Sequence, residues 1–269
     1  MIPTVLLVSC LCTPAAPATQ PASRHPTVYV TPEDVARARD RIKSDPAARK
    51  WFESLKRQAA SWNDKTPEWV KEVMPGEGAC FAYGFTGCPI CGKTWGIWGA
   101  ARASFDKPGR ITCDNGHVLP DDQHPDPGTG YVGPDQRVHY FVGSYNAWVV
   151  ETLISKIAFP YATIYLLEKD ERAGRMAAVI LDEIARIYPS CDKGSWDYPS
   201  NPPSGRLNRP WYQVARVLVH LVDIYDRIYD HPALDEPSSR EGLTRRQNIE
   251  RNLLLNGAQY CHEQSVKGK

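Results

Sequence analysis

The sequence has almost no net charge: 32 Lys and Arg stand against 31 Asp and Glu, leaving +1 with the seven histidines neutral. That balance gives no global pull toward nucleic acid or a membrane surface, so attraction for an acidic partner would have to be local. No exact internal repeat is present, only similar helix–turn–helix units, which sets aside arrays of identical modules. The apolar run from Ile2 to Cys12 is too short to cross a bilayer, and no Lys or Arg precedes it. Nor do the helical segments offer two carboxylates at acid/base spacing. Glu151 and Asp182 are expected on solvated helix faces, and only Asp121, Asp122 and Asp126 gather, in one loop.

What is present is ordinary globular composition, 42% apolar and 23% charged, over 269 residues, long enough for a sizeable core. The 8 Trp and 13 Tyr are slightly rich, and their flat faces suit either a core or sugar rings. Ile2–Cys12 is followed by Ala16-Pro17-Ala18, a small-residue cleavage pattern, and then by a Pro/Ser/Thr/Ala linker. Residues 1–25 therefore read as an export leader and linker, implying a periplasmic or secreted protein with no transmembrane segment. Leu7-Val8-Ser9-Cys10 resembles a bacterial lipoprotein box, which would place a lipid anchor on Cys10.

Six cysteines follow the leader: Cys80, Cys88, Cys91, Cys113, Cys191 and Cys261. An even count in an exported chain permits disulfides. However, Cys88-Pro-Ile-Cys91-Gly92 and Cys113-Asp-Asn-Gly-His117 are two sharp turns with soft ligands, and their glycines let amides point at thiolates. Cys88, Cys91, Cys113 and His117 make a Cys3His set suited to a structural zinc, a site closed to substrate because the protein fills all four positions. Zinc, disulfides and free thiols remain the alternatives.

Along the chain, Thr31-Pro32-Glu33-Asp34 predicts a helix start, and Asp45-Pro46 starts a second short amphipathic helix. Residues 63–143 lack a sustained period and read as irregular. They include an insert over 75–143 with one β-hairpin between the knuckles, where the metal replaces a core the segment cannot build. From Ser144 the helical period returns: one long helix or two kinked at Pro160, a helix capped by Asp170 and ended at Tyr188-Pro189, a third from Trp211 to Tyr229, and a fourth from Pro237 to Cys261. His220, among Val and Leu, reads as a core histidine. The fold class is all-α, built of antiparallel helical hairpins.

Three segments resemble the N-terminal part of heparinase II/III-like polysaccharide lyases. They are "HPTVYVTPEDVARARDRI", "CPICGK" with "ITCDNGHVLPDD", and the run from "YFVGSYNAWVVETLISKIAFPYATIYLLEKD" to "VLVHLVDIYDRIYDHPAL". Together they cover nearly the whole chain after the leader, in family order. The resemblance implies an incomplete (α/α) toroid over residues 26–269 carrying the zinc-knuckle insert. It also implies β-elimination on uronic-acid-containing glycans, with an acidic polysaccharide or oligosaccharide as partner. In that chemistry one group neutralises the sugar carboxylate, a base takes the C5 proton, and an acid protonates the leaving oxygen. The family places the neutralising group and the Tyr base on segments expected beyond Lys269, followed by a β-sandwich, so no catalytic residue is assigned here and this chain is expected to be an inactive portion. Asn208, Arg209 and Trp211, with Trp196, are the candidate substrate contacts, since Arg pairs with carboxylates and Trp stacks on sugar rings; the alternative is a capped helix start with surface arginines. Two other functions compete: an inverting (α/α)-barrel glycoside hydrolase, and a non-catalytic, zinc-stapled glycan-binding module.

Overall fold

A computed structural model of the chain describes residues 25–83, 86–93, 102–191, 206–207 and 214–267. It is mostly helical, with two very small sheets confined to the segment between the third and fourth helices.

Local chemistry sets the first helices. Helix α1 (Pro32–Ser44) begins with a capping box: the Thr31 hydroxyl accepts from the Asp34 amide, and the Asp34 carboxylate accepts from the Thr31 amide. Asp45 then caps α2 (Pro46–Ala60) through the Ala47 amide. The two helices pack together, and Arg39 of α1 donates to the carbonyls of Leu166 and Leu167 at the end of the long fourth helix. The expectation of irregular chain from residue 63 is corrected by α3 (Pro67–Val73), capped by Thr66. Seven residues give too few turns for a hydrophobic period to register.

The insert forms a three-stranded antiparallel sheet of β1 (Arg102–Ala103), β2 (Ile111–Thr112) and β3 (Val118–Leu119), pairing Ala103 with Ile111 and Ile111 with Leu119. A second pair, β4 (Tyr131–Val132) and β5 (Val138–His139), leads into the helical core. Phe105, in the β1–β2 loop, seats the insert. Its ring centre lies 5.0 Å from Trp69 and 4.7 Å from Trp148.

Helix α4 (Phe141–Glu168) is continuous through Pro160, with a π-helical stretch, Leu153–Ala158, just before the proline. A widened turn is one way for a helix to absorb a residue that cannot donate. It is apolar and long enough to cross a membrane, yet 78% of its most apolar window is buried within the fold, the mark of a core helix. Asp126 anchors its start, accepting from the Phe141 and Val142 amides at 2.9 Å each. Lys169, in the left-handed conformation, ends the helix; Asp170 caps α5 (Glu171–Ile187) through the Ala173 amide.

Helix α5 is central, touching α3, α4, α6 (Val214–Arg227) and α7 (residues 245–267). The fourth predicted helix starts late: Pro237 bridges Thr244 across a tight turn, and Thr244 with Gln247 then forms a capping box for α7. Asp182, expected on a solvated face, is only 2% exposed. Its carboxylate accepts from the hydroxyls of Ser238 and Ser239, the Ser239 amide and the Asn248 side chain, pinning that turn to α5. His220, expected in the core, is exposed, because the helical period turns it away from buried Val217, Leu218 and Leu221.

Candidate metal centre

The first knuckle is closed by two backbone hydrogen bonds, Cys88 N to Lys93 O and Gly92 N to Cys88 O, both 2.9 Å. The second is the turn joining β2 to β3, closed by Cys113 N to His117 O and Gly116 N to Cys113 O, again 2.9 Å. Gly92 and Gly116 have φ of +69° and +87° with open space around them, so backbone conformation rather than crowding demands glycine there.

These turns bring together the four predicted ligands. The sulfurs of Cys88, Cys91 and Cys113 and a ring nitrogen of His117 all lie within 4.8 Å of one another, an arrangement that could hold a metal ion. His117 Nδ1 is 3.6 Å from Cys88 Sγ and 3.3 Å from Cys113 Sγ, close to the roughly 3.5 Å separating S and N ligands around one tetrahedral metal. Cys88 and Cys113 are buried in the main core with Ile111 and Leu119; Cys91 is exposed and His117 half-buried. Burial pushes the Cys88 thiol up to about 11, while the Lys93 amide draws the Cys91 thiol down to about 7. Lys93 and Arg102 flank the turns, both reaching Asp114, at 3.7 and 3.5 Å. Three soft thiolates and one imidazole form a donor set that suits zinc or iron–sulfur chemistry far better than Mg²⁺ or Ca²⁺.

The supporting shell reaches back to the helical body. His139 Nδ1 lies 2.9 Å from the Gly87 carbonyl, and the Thr86 hydroxyl donates to the Val138 carbonyl, so β5 holds the first knuckle immediately before α4 begins. Sequence reading missed His139. Its only signal was a histidine flanked by apolar residues near the knuckles.

The predicted substrate contacts Trp196, Asn208, Arg209 and Trp211 lie outside the described residues, as does Cys10. The aspartate loop is used internally. Asp121 accepts from the amides of Gln123 and His124, and Asp126 accepts from Gly128, Gly130, Phe141 and Val142. Glu151 is exposed, as expected.

Compared with protein-family models, with curated proteins and with solved structures, the chain matches none.

Proposed function

We propose that the chain is the N-terminal helical portion of an exported polysaccharide lyase that cleaves uronic-acid-containing glycans by β-elimination, its insert stapled by structural zinc. The observation that carries this reading is that segments on which the family resemblance rests meet in space. The His25-Pro26 entry docks on the "VLVHLVDIYDRIYD" helix: His25 pairs with Asp226, which also accepts from the Thr27 and Val28 amides at 2.8 Å. "CPICGK" and "ITCDNGH" together supply one ligand set. Consecutive helices joined by short connections, such as α4 and α5 across Lys169-Asp170, pack on each other. The arrangement we infer from this is an incomplete toroid of antiparallel hairpins.

In this reading the zinc is held by Cys88, Cys91, Cys113 and His117, and four protein ligands make it structural rather than catalytic. Asn208 and Arg209 are the candidate partners for the glycan carboxylates, and Trp211 and Trp196 the candidates for stacking on its rings. No residue of this sequence is matched to the carboxylate-neutralising group or the Tyr base. The leader directs export, with Cys10 the candidate for lipid attachment. A glycoside hydrolase needs two free carboxylates facing across a cleft, and Asp121 and Asp126 are engaged by backbone amides.

The test is affinity electrophoresis of the purified chain through gels containing alginate, heparin, chondroitin or glucuronan, with neutral dextran as control. Retardation by a uronate polymer, weakening with salt and with Arg209→Ala, is expected. Equal mobility in all gels would sink the reading. Incubation with the same polymers is expected to give none of the ultraviolet absorbance of an unsaturated uronate; product would place the neutralising group and base within this sequence.

A further inference from the structure

The end of α5 leads into the 3₁₀ turn Tyr188–Ser190, where Tyr188 is 0% exposed. Its ring forms one wall of an aromatic sandwich around Arg206. The guanidinium carbon lies 5.2 Å from the Tyr188 ring centre and 4.5 Å from that of Tyr260 on α7. Arg206 Nη1 donates to Asn256 Oδ1, one turn before Tyr260. Gly257 lets the α7 backbone approach closely: a Cβ there would lie 3.0 Å from the Tyr188 hydroxyl.

Two polar atoms in this cluster are buried and have no hydrogen-bond partner among the described residues, the Tyr188 hydroxyl and Arg206 Nε. No carboxylate among the described residues pairs with Arg206. An arginine cannot shed its charge, and Nε–H can only donate; the phenol can donate as well. Among the described residues both atoms therefore lack an acceptor, and a guanidinium with no carboxylate beside it there favours an acceptor that carries negative charge. Neighbouring Cys261 is a poor candidate to supply it, since burial raises its thiol further above the usual range. Arg206 as a whole is half-buried, although its Nε is sealed in this arrangement.

We propose that Tyr188 and Arg206, with Asn256 orienting the guanidinium, form a binding site for a small carboxylate-type oxyanion. The ligand's oxygen takes the Nε–H and the Tyr188 O–H, and its charge offsets the guanidinium between the two rings. The proposal stands apart from the polysaccharide reading, because a free monomeric anion can occupy the site whether or not the chain handles a polymer.

The experiment is thermal unfolding of the full chain at constant ionic strength with sodium glucuronate, sodium sulfate, sodium phosphate or glucose. A saturable rise in Tm with glucuronate and none with glucose is expected. Tyr188→Phe should weaken the glucuronate midpoint roughly three- to tenfold, the loss of one hydrogen bond. Arg206→Lys, which keeps the charge but loses the planar fork, should weaken it about tenfold or more, and Arg206→Gln should abolish it. Sulfate or phosphate protecting as well as glucuronate would keep the oxyanion site and assign it to an inorganic ligand. Absence of a saturable rise with any anion overturns the proposal. So does a Tyr188→Phe chain of higher Tm whose anion response is unchanged, which would mark the hydroxyl as an unsatisfied core group. Should Arg206→Gln fail to fold, Tyr188→Phe and Arg206→Lys decide the question.

Discussion

Gly143 of α4 lies directly against the carbonyl of Ala82: a Cβ on Gly143 would come within 2.2 Å of that oxygen. The obstacle is backbone, held nearby by Asn146 donating to the Cys80 carbonyl at 2.9 Å, so it cannot swing aside. In an exposed helix, Gly→Ala gains about 1 kcal/mol. Here Gly143→Ala should reverse the sign and cost roughly 1–3 kcal/mol, the range for overpacking a core. Urea unfolding measures it, and a neutral or stabilised variant would mean that residues 80–83 do not rest on α4 as described.

Metal removal should be felt locally. One metal ion per chain is expected by elemental analysis, and a strong chelator should release it. Hydrogen exchange should then accelerate across β1–β3 while the amides of α5 and of the second half of α4 keep their protection, because those segments pack mainly on other helices. Cys113→Ser should reproduce the effect. A chain that holds no metal, with mass spectrometry showing its cysteines joined in pairs, would replace the zinc with disulfides.

Acid sensitivity follows from Glu236. Hydrogen bonds from Arg175, then Arg245, hold its carboxyl down from 4.5 to about 2. A folded-state value below the unfolded one means the stabilisation is fully present above about 4.5 and fades as pH falls toward about 2. The carboxylate is about a third exposed, so solvent screening keeps the contribution modest. Glu236→Gln should lower Tm at pH 6, and the gap to the parent chain should close on acidification toward pH 2. A gap that stays constant across that window would show that the Arg175–Glu236–Arg245 bridge does not stabilise the fold.

Much of this architecture is written in short-range chemistry. Thr31-Pro32, Asp45-Pro46 and Asp170 each announce a helix through a cap that needs only three or four residues, and all three caps form. The knuckles are equally local, since Cys-x-x-Cys-Gly and Cys-x-x-Gly-His dictate their own turns. The burial of Asp182 was not legible. Apolar periodicity identifies one buried stripe, whereas α5 is surrounded by α3, α4, α6 and α7, so part of its polar face is buried too. His220 shows the opposite failure, apolar neighbours in sequence but an outward position on the helix. The Tyr188–Arg206–Asn256 cluster left no local trace, because its members come from three separate segments. The start of α3 did leave one, in Thr66-Pro67-Glu68, a cap signal that outlasts the missing period.

The pairing of His25 with Asp226 also has a meaning in time. The partners are 201 residues apart, so a chain made from its N-terminus at about 5–20 residues per second exposes His25 for roughly 10–40 s before Asp226 exists. Arg39 waits similarly for the carbonyls of Leu166 and Leu167, 127 and 128 residues on. Helices α1 and α2 can form early through their own caps, but their docking must follow completion of α4 and α6. The segment from His25 through α1 is therefore made well before the partners it docks on, and during that interval it is open to proteases and to chaperones.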